Sequence, residues 1–172
     1  MRYIPLLLLS IILSSCASQS DTTIEKTSLA SSNAEMAQLF MDNLLTDQEV
    51  AKSLLHQDFS FAWMGTPTIS YSNPVTVGEK EWNRDDLFDV YFPEVVGTLL
   101  PNGITLTTVD VVADEDGVAI VQVGESVGRL GEEYNNTYVW IFKMKDGLIH
   151  SLREYNSDLL VATRLYDYEI VQ

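Results

Sequence analysis

The chain of 172 residues contains a single cysteine, Cys16, and only two histidines, His56 and His150. One cysteine excludes a disulfide within the chain, so the fold must be held together by its own core. The histidines have no partner at ligand spacing, and we predict neither a metal site nor another cofactor. The sequence also lacks a glycine-rich phosphate loop and a Gly-x-Ser-x-Gly elbow, the motifs of nucleotide binding and of α/β-hydrolase chemistry.

Basic residues are scarce. Lysine and arginine number 10 against 25 aspartates and glutamates, which gives a formal net charge of −15. Such an acidic surface argues against binding to nucleic acid and against adhesion to anionic lipid, because both carry negative charge themselves.

The N-terminus lacks an apolar run long enough to span a bilayer, which needs about 20 residues. Met1-Arg2 is followed by a short apolar run from Ile4 to Leu13, and we predict that residues 1–15 are a signal peptide. Leu13-Ser14-Ser15-Cys16 resembles a bacterial lipobox. The resemblance implies a lipid on Cys16 that anchors the protein to the membrane, and Ala17 implies an outer-membrane lipoprotein facing the periplasm of a Gram-negative bacterium. An ordinary secretory signal with an incidental Cys16 is the alternative.

Two further segments follow the lipobox. Residues 16–31 are rich in serine and threonine and predict a flexible tether. Residues 32–172 are enough for one domain and not two. This domain opens with two capping boxes, Ser32-Asn33-Ala34-Glu35 and Thr46-Asp47-Gln48-Glu49, each of which precedes an amphipathic helical pattern.

The middle of the chain alternates short elements. We predict one helix after Asn83 that Pro93 ends or kinks, because proline disrupts the preceding turn. Asp114, Glu115 and Asp116 are compatible with a calcium site, but the twelve-residue loop spacing is missing, which favours a solvated hairpin turn. The predicted strands cover Phe59–Met64, Ile69–Tyr71, Ile104–Ala113 and Val118–Ser126.

The most informative stretch runs from Tyr134 to Asp158. Asp146-Gly147 is a strong hairpin signal between two β-rich segments, 135–144 and 148–155. Alternation places Asn136, Tyr138, Trp140 and Phe142 on one face of the first strand, and His150, Leu152, Glu154 and Asn156 on one face of the second. Because both faces of the first strand are largely apolar, we expect the hairpin to be covered on both sides.

This hairpin resembles the C-terminal hairpin of SnoaL-like domains, members of the nuclear transport factor 2-like (ketosteroid-isomerase-like) superfamily. The resemblance implies an α+β cone, in which a curved antiparallel sheet wraps around N-terminal helices and leaves a pocket. It does not name a reaction, because this fold carries isomerases, epoxide hydrolases, cyclases and binders without catalysis. The matching residues are Tyr134, Asn136, Tyr138-Val139-Trp140, Asp146-Gly147, Ile149 and Arg153-Glu154-Tyr155.

The catalytic residues of two relatives are not matched. Steroid isomerases place a general-base aspartate on the first strand, where this chain has Phe61-Ala62-Trp63-Met64. Limonene-epoxide hydrolases use an Arg-x-Asp pair, whose positions fall on Val121 and Val123. Only their last carboxylate has a counterpart, Glu154, which is therefore the candidate catalytic acid or base. Whether the protein is an enzyme stays open.

An inward-facing Glu154 would define a pocket of apolar walls with a few polar groups, as small-molecule sites commonly have. Burial among aromatic residues would raise the pKa of this glutamate. The alternative is that Glu154 pairs with Arg153, Arg164 or Arg129, and that Asn136 and Tyr138 satisfy backbone groups. The predicted ligand-binding residues are Phe61, Trp63, Val121, Val123, Glu125, Asn136, Tyr138, Leu152 and Asn156.

Three functions fit these observations. The first is binding of a small hydrophobic or amphipathic molecule in the cone, without turnover. The second is acid–base catalysis by an isomerase, hydratase or hydrolase that uses Glu154 with Tyr138 or Asn136. The third is an assembly module. The resemblance implies a homodimer through the sheet face, the face that would carry Arg153 and Tyr155.

Overall fold

The computed structural model describes residues 16–63 and 81–170, with side chains from residue 22 onward. The predicted signal peptide and the short strand predicted at Ile69–Tyr71 lie outside the described residues. Among the described helices, none combines the length and the apolar character that crossing a membrane requires. The strands are β1 (Leu55–Trp63), β2 (Thr105–Ala113), β3 (Gly117–Val127), β4 (Glu133–Lys145) and β5 (Leu148–Tyr155). The helices are α1 (Cys16–Asn43), α2 (Gln48–Ser53), α3 (Arg84–Asp86), a π-helix (Leu87–Val96), α4 (Gly97–Leu99) and α5 (Asp158–Leu165).

The described strands form one sheet in the order β1-β5-β4-β3-β2. Neighbouring strands are antiparallel except β1 and β5, which run parallel. The two predicted hairpin turns are confirmed. Asp146 and Gly147 both have positive φ, at 52° and 73°, as a tight two-residue hairpin turn requires. In the turn before β3, the Asp114 carboxylate accepts hydrogen bonds from the amides of Asp116 and Gly117. The predicted α+β cone is therefore confirmed.

Helix α1 starts earlier than predicted. It begins at Cys16 and runs through the serine- and threonine-rich segment that we interpreted as a flexible tether. Neither glycine nor proline interrupts this stretch, so nothing in the local chemistry ends the helix. The middle of the helix also contacts the β2–β3 turn, where Lys26 pairs with Glu115 and Asn33 donates to the Asp114 carbonyl at 2.9 Å. The helical assignment corrects the secondary structure predicted for 16–31.

The sheet has one buried face and one partly exposed face. In β4, Tyr134, Asn136, Tyr138, Trp140 and Phe142 are buried against the helices, as the alternation predicted. The opposite side chains range from half-buried to exposed, so the expectation that the hairpin is covered on both sides is wrong for this chain alone. Apolar residues on the open face explain the error, because apolar character does not by itself show which side is covered.

The helical segment after Asn83 continues past Pro93, which we expected to end it or to kink it. Asn83 caps it as expected, accepting hydrogen bonds from the amides of Asp85 and Asp86 at 2.9 Å. Pro93, however, lies inside the π-helix, and the chain stays helical to Leu99. Proline removes an amide donor and its ring collides with the preceding turn of an α-helix. A wider π-turn relieves this conflict, and such turns are frequent at functional sites.

Candidate functional site

A cavity of ≈ 80 Å³ lies between the inner face of the sheet and the helical segment 84–99. Its walls are mainly apolar and aromatic, and Glu154 contributes the one carboxylate among the described lining residues. The sheet side includes Phe61, Trp63, Tyr134, Tyr138, Trp140, Leu152, Glu154 and Asn156, and the helical side includes Leu87, Tyr91, Phe92, Val95 and Val96. The predicted Phe61, Trp63, Tyr138, Leu152, Glu154 and Asn156 therefore come together around this cavity.

Glu154 is buried at the wall of the cavity, with 6% of its surface exposed. One carboxylate oxygen accepts a hydrogen bond from Asn156 Nδ2 at 3.0 Å, and the other lies 3.5 Å from the Tyr91 hydroxyl. Burial raises the pKa of Glu154 to about 7, against the smaller opposing effect of these two hydrogen bonds. A carboxyl group with this pKa can hold or release a proton near neutrality.

No arginine neutralises Glu154 among the described residues, so the ion-pair interpretation is wrong. Arg153 instead contacts Glu81 at 2.6 Å and Ser60 at 3.2 Å. Arg164 contacts Glu132, and Arg129 donates to the Leu165 carbonyl at 2.8 Å. The neighbouring Arg153 points away because consecutive residues of a strand face opposite sides of the sheet.

Two tyrosines extend the polar part of the wall. The Tyr138 hydroxyl donates to the Tyr134 hydroxyl at 3.1 Å, and burial raises the pKa of both phenols, so both stay protonated. The Tyr138 ring stacks on Trp140 at 5.5 Å between centroids. Gly124 makes room for this ring, since a Cβ at that position would lie 2.7 Å from Tyr138 Cε2. The position of Tyr138 on β4 thus depends on Gly124 in the neighbouring strand β3.

Asn136 is buried but does not line the cavity. Its Oδ1 accepts a hydrogen bond from the Ser157 amide at 3.1 Å, and its Nδ2 donates to the Tyr134 hydroxyl at 2.9 Å. The side chain therefore ties β4 to the start of α5, which is the structural role that we considered as the alternative to ligand binding.

Val121, Val123 and Glu125 were predicted on the cavity face, and the structure corrects this assignment. Their pairing partners on β4 are Val139, Thr137 and Asn135, which belong to the open face of the sheet. The inner face of β3 carries Val118, Ile120, Gln122 and Gly124 instead. The alternation of inward and outward side chains cannot be counted through the loop before β4. An error of one residue there assigns every side chain of β3 to the wrong face of the sheet.

A bulge changes the parity of β5 as well. The register shifts between Lys143 and Met144, so that Ile149 joins Leu152 and Glu154 on the inner face in place of His150. The His150 ring packs edge-on against His56, with centroids 5.3 Å apart. In the described part of the chain, no group of three or more His, Cys, Asp or Glu side chains is placed to hold a metal ion.

Sequence reasoning missed Tyr91 and Trp140 as site residues. Trp140 shares the face of Tyr138 and could have been included from alternation alone. Tyr91 could not, because its contact with Glu154 depends on how the π-helix crosses the sheet. The sequence holds no local signal for that crossing.

An open groove adjoins the cavity. Five residues line both spaces and separate the cavity from the groove, namely Leu45, Phe92, Val96, Leu100 and Ile104. The groove wall also carries Glu125, Ser126, Glu133 and Asn135 at the strand ends, so it is more polar than the cavity. Glu125 thus lines the groove and not the cavity.

The pKa of Glu154 predicts a pH-dependent stability. Because the native state holds this proton up to pH about 7 while the unfolded chain releases it near 4.5, stability falls as pH rises between these values. The slope is about 1.4 kcal/mol per pH unit, and the total is about 3 kcal/mol. Above pH 7 Glu154 is ionised in both the native and the unfolded state, and its stabilising contribution to the free energy of unfolding is lost. In denaturant titrations from pH 4 to 8, Glu154→Gln should remove this component relative to the wild type. Parallel pH profiles of the two proteins would show that Glu154 titrates normally.

No family model and no curated protein sequence matches the chain. Solved structures do match its fold. A candidate SnoaL-like polyketide cyclase from Jannaschia sp. CCS1 has a TM-score of 0.63 at 15% identity, covering 82% of this chain and 96% of that one. TerC, co-crystallized with polyporic acid, has a TM-score of 0.63 at 15% identity, covering 78% and 98%. An NTF2-like protein from Burkholderia xenovorans LB400 has a TM-score of 0.60 at 12% identity, covering 79% and 97%. The chain has the NTF2-like α+β fold of SnoaL-like domains.

Proposed function

We propose that the protein binds a small hydrophobic or amphipathic molecule in the cavity beside Glu154. The observation that carries this proposal is an apolar, aromatic-lined cavity with a single buried carboxyl group among its described walls. Small-molecule sites commonly combine apolar walls with a few polar groups that fix orientation. A cavity that served only packing would gain nothing from a glutamate that costs stability at neutral pH.

The size of the cavity limits the ligand. A volume of ≈ 80 Å³ is smaller than the roughly 150 Å³ of an apolar cavity that accepts benzene. A larger ligand would have to extend past Phe92 and Val96 into the adjoining groove. An amphipathic molecule suits this arrangement, with its apolar end in the cavity and its polar end beside the carboxylates and amides of the groove.

A solved structure with a similar fold supports the proposal that this chain binds a small molecule. TerC was co-crystallized with polyporic acid, a small molecule, although the likeness to this chain at 15% identity concerns the fold alone.

Blocking the cavity mouth tests the proposal. Val96 lines both the cavity and the groove, and Val96→Trp should abolish binding of co-purified or added small molecules, measured by native mass spectrometry and thermal shift. Val123→Trp is the matched control, since the same change on the open sheet face should leave binding intact. Equal binding by wild type and Val96→Trp would contradict a cavity site.

Acid–base catalysis is the second candidate, favoured by the environment of Glu154. Its pKa of about 7 leaves both protonation states populated at neutral pH, and Tyr91 and Asn156 orient the carboxyl group. The ionised form could remove a proton next to a carbonyl group of a bound ligand, and the resulting carboxyl group could return it.

Deuterium exchange tests this chemistry. We expect the protein to accelerate exchange of the α-hydrogens of cyclopentanone in D₂O, with a rate that rises with pH and levels off above about 7 as Glu154 ionises. Glu154→Gln should return the rate to background, whereas Glu35→Gln, on the exposed surface of α1, should keep it. An unchanged rate of deuterium exchange in Glu154→Gln would exclude catalysis by this residue.

We further propose that a lipid on Cys16 anchors the protein to the outer membrane, facing the periplasm. The support is the lipobox-like Leu13-Ser14-Ser15-Cys16 and the acidic composition, which leaves little electrostatic attraction to anionic lipid. Cys16→Ser should move the protein from the membrane fraction to the soluble periplasmic fraction and remove the mass of the lipid. A membrane-bound Cys16→Ser protein would contradict lipidation.

Pairing of two copies through the open sheet face is a separate proposal. Val121, Val139 and Tyr155 form one cross-strand row there, and Val139 and Ile141 are half-buried. Burying such a row against a second copy would stabilise a dimer. Sedimentation equilibrium should give a dimer mass for the wild type and a monomer mass for Val139→Glu, since the new charge would be buried. A monomeric wild type would exclude this interface.

A further inference from the structure

The open groove beside the cavity has an apolar base and an acidic rim. Its volume is ≈ 1020 Å³, against ≈ 80 Å³ for the cavity. The two spaces share five apolar residues, which we call the shared floor, namely Leu45, Phe92, Val96, Leu100 and Ile104. Leu45 is 42% exposed, so part of this floor is open to solvent. An apolar chain can therefore extend from the cavity into the groove and keep apolar contact along its length.

The rim carries two carboxylates, Glu125 near the end of β3 and Glu133 at the start of β4. Glu125 pairs directly with Asn135, and Glu133 pairs with Val127, so the two glutamates occupy diagonal positions on one face of the sheet. Diagonal neighbours of an antiparallel pair lie roughly 7–8 Å apart, within reach of long side chains. Two acidic side chains are therefore held near each other at the edge of an apolar surface.

No cation balances these two carboxylates within the described part of the chain. Glu133 accepts a hydrogen bond from the neutral Asn135 side chain at 2.6 Å, and neither glutamate forms an ion pair with a described residue. The described residues that line the groove include neither lysine nor arginine. Like charges that lie close together repel each other, and a cation between them reduces that repulsion. The charge of the rim thus complements a cation that is joined to an apolar chain.

We propose that the groove and the cavity together bind a cationic amphiphile, whose apolar chain lies on the shared floor and whose ammonium group lies between Glu125 and Glu133. This inference rests on the proposed binding function and adds the ligand class. The ammonium group stays in the open groove, because an ion that entered the buried cavity would lose its hydration. A fatty acid of the same length would bring a third negative charge to the rim. The formal net charge of −15 for the whole chain attracts a cation over a longer range.

Three probes of equal chain length test this assignment, namely octylamine, 1-octanol and octanoate. The ammonium group of octylamine is charged at neutral pH, as that of lysine is, whereas octanol is neutral and octanoate is negative. Dissociation constants are measured by isothermal titration calorimetry at low and at high ionic strength. The full chain is purified with Cys16→Ser as the parent protein, so that no detergent competes for the site.

Glu125→Gln and Glu133→Gln each remove one charge from the rim. Glu94→Gln is the matched control, because Glu94 is exposed on the same helical segment as Val96 but lines neither the groove nor the cavity. Val96→Trp tests the position of the apolar chain, since the larger side chain would fill part of the shared floor.

Octylamine should bind the parent protein at least about tenfold more tightly than octanoate at low salt, and this preference should shrink at high salt, where the charges are screened. Each rim variant should weaken octylamine binding by roughly twofold to fivefold, strengthen octanoate binding and leave octanol within about twofold. The desolvation of each probe cancels in this comparison. Glu94→Gln should leave all three affinities in place, and Val96→Trp should weaken all three.

Octanoate binding as tight as that of octylamine would overturn the cationic ligand class while binding of an amphiphile stands. Octylamine losses no larger in the rim variants than in Glu94→Gln would overturn the ammonium site at the rim. An octylamine affinity that Val96→Trp leaves unchanged would place the chain elsewhere and overturn the inference. Binding of none of the three probes would overturn both this inference and the proposed function.

Discussion

The burial of Glu154 without a cationic partner among the described residues is the constraint around which the site is built. Burying a carboxylate costs free energy. Here no described cation offsets that cost, and burial raises the pKa of Glu154 to about 7, so that the carboxyl group can stay protonated. The neighbouring arginine contacts Glu81 on the other side of the sheet, which leaves the cavity without positive charge among its described walls. The protein therefore keeps a group that can change protonation state next to an apolar space, at a cost in stability.

Strand parity decides which residues reach that space. Glu154, Trp63, Trp140 and Tyr138 share the inner face because direct cross-strand partners lie on the same side of a sheet. The same rule places Val123 outside, where it was not expected, and makes it a control for substitutions within the cavity. Gly124 adds to this, since the missing side chain on β3 leaves the space that Tyr138 occupies.

The helical segment over the sheet contributes the remaining wall. Its π-helical turns carry Tyr91 toward Glu154 and hold Phe92 and Val96 between the cavity and the groove. The mouth of the cavity thus depends on a rare helix type whose wider turn also accommodates Pro93. Binding, gating by side chains at the mouth and proton transfer would all involve this one segment.

The amino-acid sequence by itself determined the strands between residues 104 and 155, the Asp146-Gly147 and Asp114–Gly117 turns and the Asn83 cap, because these depend on local propensity and short-range alternation. The cone fold was implied by the resemblance of the hairpin at 134–158 to SnoaL-like domains. The sequence also identified six of the residues around the cavity.

Only the tertiary structure decided the remaining features. These are the inner face of β3, the bulge that turns His150 away, the π-helix through Pro93 and the partners of Glu154. Each of these depends on how residues far apart in the chain pair or pack, and a parity count fails at the first bulge or loop. The early start of α1 belongs to the same group, since contacts of Lys26 and Asn33 with the distant β2–β3 turn support a helix whose serine- and threonine-rich start has only weak helix propensity.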